Sequence, residues 1–361
     1  MLPRITLPIQ CVNWDWMFTQ SPRSIASSVA RTAELVDSAV PHTDSSRNKT
    51  SYKPLGNAVF LCSNAGEMRA SVILGPGNVS KPFAAFQQAA HAEWTSLIEQ
   101  ADAVVIFGGD GTVHRNLATL VDLGVPLMVV PCGSGNDFAR SLGLRAPDDS
   151  LAAWQKFAAG GSNVRSIDLG VIHSLPEISE AHEQSGAPNV NDQPRYFCCS
   201  GSVGLDVEIV RRANKLPSWM RARGGYGLSA PGEFFRFQPF PMKICPNGNS
   251  AGEFRHTLLV AVANAPTYGG GVKIAPKANL DDGKLDVCVV RAMDKFKLFC
   301  LFPTAYFGRH LMSKNVEYGQ TDHVSIDTKI PVDVYADGEY VCKTPVEFNI
   351  ARKALQVIVP E

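Results

Sequence analysis

The chain passes from an unpatterned polar stretch into regular hydrophobic runs near Asn57. Residues 58–62 and 71–74 are short apolar runs and read as strands. Between Lys81 and Gln100, Phe83, Phe86, Ala90 and Trp94 recur at helical spacing, which predicts one long helix. Two continuously apolar runs follow, residues 103–107 and 127–130, the pattern of strands covered on both faces. The stretch from Val113 to Leu123 between them is helical in period. Further helices are expected from Asn136 to Leu142 and from Ser150 to Ala159, the last capped by Ser150. To about residue 160 this is a doubly wound parallel sheet.

The pattern then changes. Val164 to Val171 alternates and reads as a strand, as do residues 196–200, 242–244, 257–264, 285–291, 323–327, 332–335 and 355–359. Helical patterns interrupt them near residues 206–215 and 294–312, and residues 172–194 are polar enough for a long loop. Many short strands separated by turn residues suggest a β-sandwich. The expected fold class is therefore α/β plus β. Residues 1–55 form a poorly defined extension, 56–163 a nucleotide-binding domain, and 164–361 a β-sandwich domain whose last strand is free to return to the first.

Composition narrows the function classes. Thirty-four basic and 34 acidic residues leave no net charge, which argues against a nucleic-acid partner. Nine cysteines with no Cys-x-x-Cys pair suit reduced thiols and a cytoplasmic protein. No run approaches the ~18 apolar residues of a transmembrane helix, and no secretory leader is visible.

The chemistry concentrates in two glycine loops at the ends of consecutive strands. Gly108-Gly109-Asp110-Gly111-Thr112 follows the first apolar run, and Gly133-Ser134-Gly135-Asn136-Asp137 the second. Open α/β sheets bind ligands at the carboxyl ends of their strands. Glycine lets the backbone approach a phosphate, and the amides that open the next helix are free to bind it. The spacing fits neither the P-loop nor the dinucleotide fingerprint. Asp110 reads as a ligand of a catalytic Mg²⁺ or as a helix cap, and Asp137 as a cap or loop support. Ser134 and Asn136 offer neutral donors. Asp337-Gly338-Glu339 and Asp281-Asp282-Gly283 are either plain turns or sites of chemistry. In an extended chain Asp337 and Glu339 would face the same way, so both could reach the cleft. Aromatic residues gather at 219–240, mixed with arginines, and at 296–307. The first group suits an acyl-chain groove or membrane patch, and the second reads as core.

Five segments in order resemble the soluble diacylglycerol kinase-like lipid kinases of bacteria. They are Phe107 to Thr112, Gly133 to Arg140, Gly201-Ser202-Val203-Gly204-Leu205-Asp206, Asp281 to Val287, and Ala336 to Glu339. The resemblance spans roughly residues 57–360. It implies a phosphofructokinase-like nucleotide domain before the β-sandwich, and ATP- and Mg²⁺-dependent phosphorylation of a lipid hydroxyl. It puts ATP on Gly108, Gly109, Asp110, Gly111, Thr112, Val113 and His114, and on Gly133, Ser134 and Asn136. It implies a further Mg²⁺ on Asp282 with the carbonyls of Asn279 and Lys284, and a general base at Glu339 or Asp337. The lipid would be met at a membrane surface, by a cytoplasmic protein or one peripheral at the inner membrane face, with a homodimer left open. His114 and Arg115 depart from the residues common in the family. An NAD-kinase-like enzyme of a soluble substrate, or a non-catalytic nucleotide or lipid binder, are the competing readings.

Overall fold

A computed structural model describes residues 68–360, apart from 77, 89–91, 96–97, 176–193, 217–219, 221–224 and 249–251. The extension and the expected strand at 58–62 lie outside the described residues, as does most of the 172–194 loop.

The amino-terminal half is an α/β layer. Strands β1 (Met68–Leu74), β2 (Ala92–Thr95), β3 (Ala103–Gly108) and β4 (Leu127–Pro131) are parallel in the order β2-β1-β3-β4. All residues of β3 and β4 are buried, as their unbroken apolar runs require. Helices α1 (Ser80–Gln88), α2 (Asp110–Leu123), α3 (Asp137–Ser141) and α4 (Pro147–Ala158) connect or follow them. Phe86, Phe107, Leu117, Leu120, Phe138 and Trp154 are fully buried in their shared core.

Two local expectations are corrected. The single helix expected from Lys81 to Gln100 is α1 followed by edge strand β2. Trp94 thus belongs to a strand, yet its ring still meets Phe83 at 6.3 Å and Trp154 at 5.9 Å. A four-residue strand is too short for its alternation to compete with an overlapping helical period. Ser150 does not cap α4. Its hydroxyl is buried and donates to the Val129 carbonyl, while Asp149 accepts from the Ala146 amide at the true start.

The carboxyl-terminal half is β-rich. Strand β5 (Val164–Ser174) leads into β6 (Arg195–Phe197) and β7 (Ser200–Gly204). Helices α5 (Leu205–Asn214) and α6 (Gly225–Arg236) follow, then β8 (Phe240–Pro246), β9 (Arg255–Ala263) and β10 (Leu285–Arg291). Helix α7 (Lys295–Ala305) precedes β11 (Val316–Thr321), β12 (His323–Thr328), β13 (Asp333–Ala336), β14 (Glu339–Lys343) and β15 (Val346–Ile358). These strands form a sandwich around Phe197, Val203, Val260, Val262, Ile326 and Phe348, with a second core between α5, α6, α7 and strands β9 and β10.

Strand β15 joins the halves. It runs antiparallel to β5 over nearly its whole length, and its end pairs in parallel with β4 through Val357 and Leu127. One hydrogen-bonded sheet thereby carries the glycine loops and the sandwich on a shared frame.

Candidate active site

Three loops meet at the carboxyl ends of β1, β3 and β4. The amide of Gly75 donates to the Phe107 carbonyl at 2.7 Å, and the amide of Cys132 to the Gly108 carbonyl at 2.9 Å. The two glycine loops touch backbone to backbone. A Cβ on Gly133 would lie 2.4 Å from the Gly109 Cα, a separation that side chains do not tolerate. Thr112 is buried under this junction, where a Cβ on Gly75 would strike its Oγ1 at 2.4 Å. Asn136, at φ 54°, turns its amide back on its own loop and both accepts from and donates to the backbone of Gly133. It thereby shapes the loop and takes up the Gly133 amide.

Asp110 reaches out of the first loop and accepts from the amides of Asp137 and Phe138, at 3.1 and 2.9 Å. It caps α3 across the cleft, not its own helix. Burial, and then the charge of Asp137, push its carboxyl up to about 6 despite those two amides. Asp137 in turn accepts from Arg140 at 2.6 Å and from the Gly270 amide at 2.7 Å, tying the Gly269-Gly270-Gly271 loop to the nucleotide side.

The hairpin turn between β13 and β14 supplies the opposite wall. Its central residues Asp337 and Gly338 both have positive φ, as a type I′ turn requires. This breaks the alternation expected of an extended chain, and the two acidic side chains part. Asp337 is wholly buried. Its carboxylate accepts from the amides of Cys198, Cys199 and Ser200 and from His114 Nδ1 at 3.1 Å. Burial alone would raise its pKa, but the imidazole and the amides outweigh it and hold it low. His114 is the mirror case. Burial opposes its charge, and Asp337 more than restores it.

Glu339 keeps an exposed carboxylate, paired with Arg115 at 3.0 Å. A Cβ on Gly111 would lie 3.0 Å from Glu339 Oε1, so this carboxylate stands directly over the first glycine loop. Beside it opens a cleft of 420 Å³ lined by His114, Arg115, Arg195, Tyr196, Glu339 and Tyr340. Val113, from the same loop, is buried in the core of the α/β layer.

The Asp282 loop lies elsewhere. Asp282 accepts from the Lys284 amide at 3.0 Å, and Gln320 bridges it to Asp286. Asp286 is raised by burial, with the Asp282 charge adding to the shift. Asn279 receives Arg165 on its side-chain oxygen. Asp168, unremarked in the sequence, anchors this loop. It is buried in β5 and accepts from the amides of Gly283 and Lys353, both at 2.7 Å. An aspartate between Ile167 and Leu169 in a buried strand was the available signal.

Cys198 and Cys199 lie close enough to Asp337 to suggest a metal trio. Their chemistry is against it. Burial pushes Cys198 up to about 12, and the hydrogen bond that Cys199 donates to Cys198, with burial, holds Cys199 well above its ordinary value. The oxygens of Asp337 already hold amide and imidazole donors.

Glycine loops at helix starts, a half-buried acid among them and an exposed carboxylate opposite, paired with Arg115, fit a phosphotransferase with an alcohol acceptor. The comparisons agree. The diacylglycerol kinase catalytic domain matches residues 64–172, and the YegS C-terminal NAD kinase beta sandwich-like domain matches residues 199–359. A diacylglycerol kinase of Mycobacterium tuberculosis is 31% identical over 75% of this chain and 81% of its own. One of Bacillus subtilis is 25% identical over 76% and 82%. A solved diacylglycerol kinase of Bacillus anthracis superposes with a TM-score of 0.54 at 19% identity, over 81% of this chain and 97% of its own. The chain belongs to the bacterial soluble diacylglycerol kinase-like lipid kinase family, and it is an ATP-dependent kinase of that class. Among the described residues no helix is long and apolar enough to cross a membrane.

Proposed function

We propose that the protein moves the γ-phosphate of ATP to the free hydroxyl of a diacylglycerol-type lipid, with Glu339 as general base. The observation that carries this reading is the position of Glu339 Oε1 over Gly111, where a carboxylate from the sandwich meets the phosphate loop. The backbone of Gly108 to Thr112 and of Gly133 to Gly135 cradles the polyphosphate, and the opening turns of α2 and α3 add favourable dipoles. The acceptor hydroxyl enters from the cleft beside Arg115 and Tyr196 and gives its proton to Glu339. Asp337 holds His114 and the Cys198–Ser200 backbone, so it positions this wall without meeting the lipid.

Mg²⁺ fits two places by the chemistry of their donors. Asp110 is a hard oxygen donor whose charge is opposed by burial and by Asp137, a penalty that a cation reverses. Bound there, it would neutralise the polyphosphate. Asp282, beside the raised carboxyl of Asp286, offers a second oxygen site, to which the carbonyls of Asn279 and Lys284 would contribute. The lipid acceptor implies work at a membrane surface.

The test is transfer of label from γ-labelled ATP to a lipid panel in mixed micelles, with Mg²⁺ and with chelator. Label in diacylglycerol that is lost on chelation supports the reading. Label only in a lipid without a glycerol hydroxyl, or only in a soluble acceptor, overturns it.

A further inference from the structure

Helix α7 is apolar on both faces. Leu298 and Ala305 are buried, and Leu301, Phe302 and Tyr306 pack on the second core. The outward face carries Phe296 at 68% and Phe299 at 43% exposure. Helical spacing continues that face through Pro303 toward Phe307, which is 76% exposed, and the following 3-10 turn ends in Met312 at 86%. Phe235, from the end of α6, adds a ring 53% exposed that packs on Phe299 at 6.1 Å. Four exposed phenylalanines and a methionine, from α7, the segment after it and the end of α6, are not ordinary scatter of single apolar residues.

The rim is basic. Residues 294–314 hold Lys295, Lys297, Arg309 and Lys314 against a single carboxylate, Asp294, which is spent on capping α7. Arg236 adds a fifth cation, and Glu233 beneath it is ion-paired with both Arg212 and Arg236. The whole chain has no net charge, so this excess is local.

We infer that the outward face of α7, with the end of α6, is the surface by which the protein docks on an anionic phospholipid bilayer. Phenylalanine rings enter the acyl boundary, and the flanking lysines and arginines meet anionic headgroups. The same two helices line, on their inner faces, an apolar cavity walled by Phe234, Leu298, Leu301 and Phe302. The outer ring pair Phe235–Phe299 and the inner pair Phe234–Phe302, at 5.0 Å, therefore form one seam between bilayer and cavity.

The inference rests on the lipid-kinase reading, and its test separates the two. The full-length protein is sedimented with vesicles of phosphatidylglycerol and phosphatidylcholine, and with phosphatidylcholine alone. Wild type is compared with Phe296→Ser/Phe299→Ser and with Lys297→Glu/Arg309→Glu. Transfer to a dispersed short-chain diacylglycerol is measured alongside. The expected result is binding at least tenfold tighter to anionic vesicles, weakened at least tenfold in each double variant, with short-chain transfer within twofold of wild type. Undiminished vesicle binding by both variants overturns the inference. So does a change confined to self-association, seen by light scattering, which would make the face a contact with a second copy. Failure of the kinase reading shows differently, as wild type that transfers to no lipid at all.

Discussion

His114 Nδ1 donates to Asp337 Oδ2 across 3.1 Å, joining the start of α2 to the turn before β14. This bond is the basis on which we propose Glu339 over Asp337 as base, two acids that the sequence left equal. A carboxylate that already accepts three amides and an imidazole has no lone pair aimed at a substrate. Glu339, two residues on, has its carboxylate in the open cleft. Glu339→Gln should therefore lower turnover by about 10²–10⁴-fold with stability changed by under about 0.5 kcal/mol. Asp337→Ala should cost at least about 3 kcal/mol, because it orphans several buried donors. Denaturant unfolding and kcat, measured together on both variants, check the division of roles.

The same pair should give stability a definite pH dependence. The folded-state pKa of His114 lies above its ordinary value, so its contribution is complete below about 6.5 and fades as pH rises through the folded pKa. Asp337 lies below its ordinary value, so its share is lost only as strong acid is approached. The stability difference between wild type and His114→Ala should be large at pH 6 and smaller at pH 9. A difference that grows toward pH 9 would mean that the imidazole is not held in its charged form.

Asp110 should behave in the opposite sense to Asp337, and like His114 should lose stability as pH rises. Its folded pKa is raised to about 6, so its charge weighs against folding above that pH, by up to about 3 kcal/mol. Without metal, Asp110→Asn should be at least as stable as wild type at pH 8, while losing activity by at least about 10²-fold. Thermal melts in chelator and assays in Mg²⁺ supply the two readings. A variant both unstable and active would contradict the assignment.

The contact between the glycine loops is also testable. Gly133→Ala places a Cβ against the Gly109 backbone and should cost about 1–3 kcal/mol and weaken ATP binding at least tenfold. Gly319→Ala, where nothing lies within 4 Å and φ is not positive, is the matched control and should leave ATP binding unchanged.

The parts of the molecule legible in the sequence were those fixed by local pattern. Strands β3 and β4 announce themselves as unbroken apolar runs, and the glycine loops after them follow. The edge strand β2 did not, since Trp94 fits a helical period as well as a strand. The roles within the site were less legible, because their causes are distant. Asp337 is buried by residues 137 to 223 positions away in the chain. Asn136 turns onto its own loop because a positive φ aims it there, which composition does not reveal. Phe296, Phe299 and Phe307 read as core, since hydrophobicity alone does not say which side of a largely apolar segment meets water.

The most direct test of the account is a single-turnover comparison of wild type and Glu339→Gln with γ-labelled ATP, Mg²⁺ and diacylglycerol in micelles, alongside ATP affinity. The expected result is an ATP dissociation constant within about threefold of wild type and a transfer rate lower by at least about 10²-fold, as loss of a general base requires. Transfer at the wild-type rate would show that Glu339 does not take the proton and would remove the base from this site.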